Sequence, residues 1–160
     1  MALSRSALRL LSSRISPAFQ ARGFADGTGM SLTFAAPTQV LYNNISVKQI
    51  DVPSFSGSFG ILPAHVPTLA VLKPGVVTVY ENDGNAKKFF VSSGTVTINE
   101  DSTVQLLAEE AVPVENLDLS AAKDLLNQAQ GEFAVASTDV AKAEAQIAIE
   151  VTEALVKACE

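Results

Sequence analysis

The residues best suited to chemistry lie in one stretch, SFSGSFGILPAHVPTLAVLKPG, Ser54 to Gly75, which holds the sole histidine, His65, among serines, prolines and glycines. An imidazole near serines invites a nucleophilic or general-base reading, because histidine is the side chain that moves protons near neutral pH. That chemistry also needs a hydroxyl or thiol within reach of the base and a third group to orient the ring. The nearest carboxylates in sequence are Asp51 on one side and Glu81 on the other, and no nucleophile elbow is present. Cys159, the one cysteine, stands next to the C-terminus. A disulfide within the chain is therefore excluded, and a zinc-type site would have a single Cys and a single His to draw on. Gly57, Gly60 and Gly75 allow backbone conformations closed to other residues, while Pro63, Pro67 and Pro74 fix φ and remove donors. The segment cannot be a central strand throughout. It reads as a rigid, exposed crossing with apolar anchors at Phe59, Ile61, Leu62, Leu69 and Leu72, and His65 reads as a turn or interface residue.

The elements around this stretch fall into two regions with different periods. From Ser31 to about Val114, short runs rich in Val, Thr, Ile and Phe alternate with turn residues, the pattern of strands. VVTVYE, Val76 to Glu81, and KKFFVSS flank Asn82-Asp83-Gly84-Asn85, a hairpin signal because glycine accepts the positive φ of a tight turn. Val96 and Ile98, then Val104, Leu106 and Ala108, alternate on either side of the turn Asn99–Ser102 and predict a second hairpin with one apolar face. Many short strands at this spacing predict a sandwich or barrel. From Leu117 the period becomes helical: Leu119, Ala122, Leu126, Ala129 and Phe133 form one stripe, with Asp118 or Ser120 as the cap and Gly131 weakening the end. Ser137-Thr138-Asp139 predicts a break and a new cap. A second helix follows from about Val140 to Ala158, with a main stripe of Val140, Ala143, Ile147, Val151, Ala154, Leu155 and Ala158. The short connection makes the pair an antiparallel hairpin. Ile149 and Val156 lie off that stripe, and read either as scattered surface apolars or as a second seam for another chain.

Charge divides the chain differently. All four arginines, Arg5, Arg9, Arg14 and Arg22, precede the first acid, Asp26, and serines and leucines stand between them. An arginine- and serine-rich, acid-free amphipathic start without an unbroken apolar stretch predicts an organelle transit peptide over residues 1–24. RGFA, Arg22 to Ala25, is similar to a mitochondrial processing site. Cleavage there leaves seven lysines against 17 acids, a net charge near −10, and no arginine. That composition excludes a basic nucleic-acid module and bidentate phosphate recognition. No apolar run reaches the roughly 18 residues a spanning helix requires.

At this point the crossing itself becomes informative. Gly57-Ser58-Phe59-Gly60-Ile61-Leu62-Pro63-Ala64-His65-Val66-Pro67, with Leu72-Lys73-Pro74-Gly75 after it, closely resembles the hallmark of the small central-stalk subunits of F-type ATP synthases, called delta in mitochondria and epsilon in bacteria and chloroplasts. Val91-Ser92-Ser93-Gly94 and the terminal helical pair extend the resemblance over nearly the whole mature chain. The resemblance implies an N-terminal antiparallel β-sandwich of about ten strands over residues 25–114 and an antiparallel two-helix hairpin over 115–160. It also implies a non-catalytic rotor subunit without cofactor or metal, peripheral to the mitochondrial inner membrane on its matrix side. The implied partners are the gamma subunit, the mitochondrial epsilon subunit and the c-ring, and the implied work is coupling of proton flow to ATP synthesis elsewhere. Gly57, Ser58, Phe59, Gly60 and His65 would then face the c-ring, and Ile149 and Val156 are the candidate partner contacts on the hairpin. One departure concerns ATP, which some bacterial members bind through an aliphatic–Asp–x–x–Arg–Ala motif. The corresponding run here is Thr138-Asp139-Val140-Ala141-Lys142-Ala143, in which Lys142 lacks the planar fork of arginine. A small-molecule module that binds ATP through the hairpin is the alternative function.

Overall fold

The computed structural model describes residues 29–160, so the expected transit peptide lies outside the described residues. Nine strands come first: β1 (Met30–Ala36), β2 (Gln39–Ser54), β3 (Gly57–Ile61), β4 (Thr68–Leu72), β5 (Gly75–Glu81), β6 (Ala86–Val91), β7 (Gly94–Ile98), β8 (Thr103–Ala108) and β9 (Ala111–Pro113). A single 3-10 turn, Val114–Asn116, leads to α1 (Leu119–Val135) and α2 (Asp139–Cys159).

The strands form two packed layers because β2 is long enough to serve both. Its first half pairs with β1, and its second half pairs with β3 and β5. One layer is thus β4, β7, β8 and β1, and the other is β3, β2, β5, β6 and β9. Alternating side chains from both layers meet in one core: Met30, Leu32 and Phe34 of β1, Leu106 of β8 and Leu72 of β4 close against Ile50, Ile61, Val77, Val79 and Val91 of the other layer. Period-2 burial along β1, β7 and β8 reproduces the alternation read from the sequence. Both predicted hairpins form, with register Val76–Phe90 in the first and Val96–Leu106 in the second. Gly84 takes φ 90° in the first turn. Nine strands fit the expected sandwich of about ten, which departs from a wholly antiparallel arrangement in one detail: β1 pairs with β8 in parallel. The parallel contact arises because β1 lies between its antiparallel neighbour β2 and β8, a strand that comes much later in the chain and runs in the same direction as β1.

The helices are capped as their sequences dictate. Asp118 Oδ1 accepts from the Ser120 N–H at 2.8 Å, and Thr138 Oγ1 accepts from the Ala141 N–H at 3.2 Å. The helix α1 continues past Gly131 to Val135. Its buried residues are Ala122 and Ala129, and those of α2 are Ala145 and Thr152. Ala129 and Ala145 stand equally far on either side of Ser137, as do Ala122 and Thr152, so these small residues pair across the antiparallel seam. Small side chains let the axes approach closely.

This seam revises the expected packing of α2. Ile149 and Val156 share the seam face with Ala145 and Thr152 and are half-buried there. Of the predicted main stripe, Val140 and Ile147 are instead 69% and 62% exposed. The same stripe reaches the sandwich only at its C-terminal end, where Ala154 and Ala158 border a cleft of about 730 Å³ opposite Pro53, Phe55, Gly75 and Val76. Phe90, buried but outside the main core and flanked by Val76 and Val112, supports the sheet surface on this side.

Candidate functional site: an uncharged loop and an uncharged sheet face

The stretch from Ser54 to Gly75 folds as two short strands joined by a turn. The Ser54 hydroxyl is buried and donates to the Gly57 carbonyl at 2.6 Å, which closes the bend at Phe55-Ser56. Gly57, with φ 121°, occupies the conformation that a side chain would resist. The Phe55 N–H donates to the Val71 carbonyl at 3.4 Å and the Lys73 N–H to the Pro53 carbonyl at 3.2 Å, so the two ends of the stretch are joined at its base. At the tip, the His65 N–H donates to the Leu62 carbonyl at 3.1 Å, and Ala64 is held at φ 61°. From Gly57 to Thr68 the sequence has no acid, lysine or arginine.

His65 is arranged as a structural residue. Its Nδ1 lies 2.8 Å from the Val66 carbonyl, where it serves as an N–H donor, and its ring lies against Phe59 with centroids 6.1 Å apart. Among the described residues no serine hydroxyl and no carboxylate is hydrogen-bonded to it. Asp51, its nearest acid in sequence, instead accepts from Gln49 Nε2 at 2.7 Å and raises the pKa of Tyr80 by its charge and a hydrogen bond. A base without a nucleophile or an orienting carboxylate lacks the arrangement nucleophilic catalysis requires. The expected anchors divide: Ile61 and Leu72 are fully buried in the core and Phe59 is partly buried, but Leu62 and Leu69 are 53% and 73% exposed.

Those exposed side chains belong to a larger surface. On the outer face of the β4–β7–β8–β1 layer, register brings Leu69, Thr97, Gln105 and Thr33 into one row and Val71, Thr95, Leu107 and Ala35 into the next. Neither row contains a charge. The opposite outer face carries Asp51, Tyr80 and Lys88. Sequence reasoning missed the uncharged face, although TLAVL in β4 and Leu106-Leu107 in β8 carry the signal. Strands apolar at successive positions have no solvent side.

A second polar cluster is structural. The Tyr42 hydroxyl donates to Glu81 Oε1 at 2.9 Å, and Lys87 Nζ reaches the same oxygen at 2.9 Å. Lys87 and Tyr42 together hold the Glu81 carboxyl below the ordinary carboxylate range, the hydrogen bond from Lys87 counting most. Burial, then the bond to Glu81, pushes the Tyr42 phenol up. Tyr42 also packs edge-on against Phe89, so the cluster braces the core rim.

Among the described residues no group of histidine, cysteine and acidic side chains could hold a metal ion. The expected ATP-binding alternative gains no support. The cleft beside the hairpin turn is lined by Glu132 and Glu144 with Val135, Ala136, Ser137, Ala141 and Ala145, and carries no cation to meet a triphosphate.

The described residues thus form a β-sandwich with an uncharged face and loop, followed by a helical hairpin. Family comparisons agree. Residues 29–114 match the ATP synthase, Delta/Epsilon chain, beta-sandwich domain, and residues 117–158 match the C-terminal domain of the metazoan delta subunit of F1F0-ATP synthase. The mitochondrial ATP synthase subunit delta of Caenorhabditis elegans is 51% identical over 129 residues, covering 81% of this chain and 78% of the relative. That of Kluyveromyces lactis is 41% identical over 152 residues, covering 94% of each. Among solved structures, a chain of the Euglena gracilis mitochondrial ATP synthase OSCP/F1/c-ring assembly superposes with a TM-score of 0.77 at 25% identity, covering 86% of this chain and 87% of that one. The chain belongs to the delta/epsilon family of ATP synthase subunits, in its mitochondrial delta branch. It is a non-catalytic subunit of the synthase's central stalk, and its relatives place it in the mitochondrion. Among the described residues no helix is long and apolar enough to cross a membrane.

Proposed function

We propose that this chain links the gamma subunit to the c-ring on the matrix side of the inner membrane, with Gly57, Ser58, Phe59, Gly60 and His65 at the ring. The carrying observation is the crossing, uncharged from Ser54 to Leu72, tied at its base and turned at its tip by backbone bonds, with Leu62, Val66 and Phe55 exposed on it. A surface that transmits torque must keep its shape, and closed turns with fixed prolines supply that. In this reading the uncharged outer face of β4, β7, β8 and β1 receives gamma, since apolar side chains free of charge favour a permanent interface. The hairpin, whose Val140 and Ile147 are left exposed, receives the mitochondrial epsilon subunit or gamma. Ile149 and Val156 then act from within the seam, by setting the helix spacing that a partner meets. Residues 1–24 serve as the mitochondrial address, with domains at 25–114 and 115–160. Support comes from the solved assemblies: the Tetrahymena thermophila chain of the same fold, TM-score 0.67 at 18% identity, is described as part of a central stalk and c-ring structure.

Disulfide mapping tests the ring contact. In a Cys159→Ser background, Ser58→Cys is paired with cysteines placed along the polar loop of the ring subunit, and the assembled complex is oxidised. Cross-links from Ser58→Cys, and none from a control cysteine at Lys88 on the opposite sheet face, are expected. Cross-linking from Lys88 alone contradicts the orientation.

A further inference from the structure

The tip of the crossing is held by a residue from a different strand pair. Ser102, in the β7–β8 turn, is only 9% exposed, and its hydroxyl accepts from the Ala64 N–H at 3.0 Å. Among the described residues this is the hydrogen bond that ties the tip, Leu62 to Pro67, to a turn outside the crossing. The remaining bonds of the tip stay local, as the His65 N–H with Leu62 and the Thr68 hydroxyl with Val66. Pro63 and Pro67 have no N–H to offer. The side chains of Leu62, Ala64 and Val66 are exposed and do not anchor it.

Ser102 is itself fixed on three sides. Its N–H donates to the Asn99 carbonyl at 3.2 Å, and its carbonyl accepts from the Ser31 N–H at 3.2 Å. The turn around it is braced by Asp101, which accepts from the Thr103 N–H at 3.0 Å and from the Thr103 hydroxyl at 2.7 Å. Both ends of this bond carry an unusual backbone: Ala64 has φ 61° and Ser102 φ 64°, left-handed conformations that non-glycine residues adopt at a cost. A turn that only needed this geometry would be better served by glycine. Serine at 102 retains the cost and contributes a hydroxyl, and that hydroxyl is spent on Ala64.

We propose that Ser102 is a positioning residue whose hydroxyl clamps the tip of the crossing, holding Ala64 left-handed and thereby fixing the attitude of Leu62, His65 and Val66. The clamp stands on geometry alone; its consequence for coupling rests on the ring-facing reading of the loop. The test uses the assembled synthase with wild-type chain, Ser102→Gly and Ser102→Ala. Glycine removes the backbone cost together with the hydroxyl, so Ser102→Gly assembles normally and separates the hydroxyl from the turn. Two readouts are taken: amide exchange of the peptide spanning Leu62 to Leu69 against peptides of β1 and β8, and the ratio of proton-driven ATP synthesis to ATP hydrolysis. Losing one hydrogen bond speeds exchange at Ala64 about tenfold in both variants, with the strands unchanged. The synthesis-to-hydrolysis ratio falls with it. Unchanged exchange at the tip in both variants overturns the clamp. Faster exchange with an unchanged ratio upholds the clamp and overturns the ring-facing reading of the loop.

Discussion

Replacing Ala145 by aspartate in a chain spanning residues 25–160 opens the helical hairpin and leaves the sandwich intact. The seam buries Ala122, Ala129, Ala145 and Thr152, and at about 0.8 kcal/mol per buried methyl-sized group these contribute about 3 kcal/mol. Half-buried Leu126, Ile149 and Val156 add about 1 kcal/mol each. A carboxylate at 145 faces Ala129, and an uncompensated buried charge costs about 3–5 kcal/mol, most of what the seam supplies. The sandwich core is a separate cluster, built from Met30 to Ala111 without any helix residue, so it does not share the loss. The matched control is Ala143→Asp, on the exposed side of α2. Amide exchange and far-UV circular dichroism of the isolated chain report the outcome. Ala145→Asp removes protection and helical signal across the 17 residues of α1 and the 21 of α2, while β1 and β8 stay protected. Ala143→Asp changes neither. Loss of the hairpin in Ala143→Asp, with Ala145→Asp unaffected, refutes the assigned seam. Joint unfolding of hairpin and sandwich refutes their independence.

Two further outcomes concern the sandwich. Gly94→Ala drives a Cβ onto the Leu107 carbonyl oxygen and within 2.8 Å of the Ala108 Cα, backbone that no rotamer change can clear. The expected destabilisation is about 2–4 kcal/mol by chemical denaturation, and a loss below half that contradicts the close approach of β7 and β8. For pH, Glu81 sits below its ordinary value in the folded chain, so its contribution is complete above an unfolded carboxylate pKa of about 4.3 and is lost as pH falls through the folded value. Glu81→Gln therefore flattens the acid limb of the stability–pH curve, and an unaltered limb contradicts the cluster with Lys87 and Tyr42.

Much of this fold was legible in the sequence because local signals and burial agreed. Asp83-Gly84 between β-branched runs, the alternation of Val96, Ile98, Val104 and Leu106, and the Thr138 break each follow from backbone chemistry that acts over a few residues. The faces of α2 were not legible, because the apolar arc opposite Lys142, Gln146, Glu150, Glu153 and Lys157 is wide enough to hold two stripes: the one through Val140 and Ile147 is more hydrophobic than the one through Ala145 and Thr152, yet close packing selects the small residues. Burial of Leu62 and Leu69 was overestimated for a related reason, since in a run as apolar as this one the sequence does not distinguish a core-facing leucine from an exposed one. The crossing itself was recognisable at once, but the dependence of its tip on Ser102 was hidden by a separation of 38 residues. Nothing local to Asn99–Ser102 announces that its serine serves a turn elsewhere in the chain.

The most direct test of the central claim is recovery of the chain in its assembly. A tag is placed on the C-terminus of the full-length chain, mitochondria are isolated and gently extracted, and the co-purifying proteins are identified. The structure and the family predict one stable complex containing gamma, the catalytic head subunits and the c-ring, active in proton-driven ATP synthesis. A lone matrix protein, with gamma and the ring absent, contradicts a stalk role.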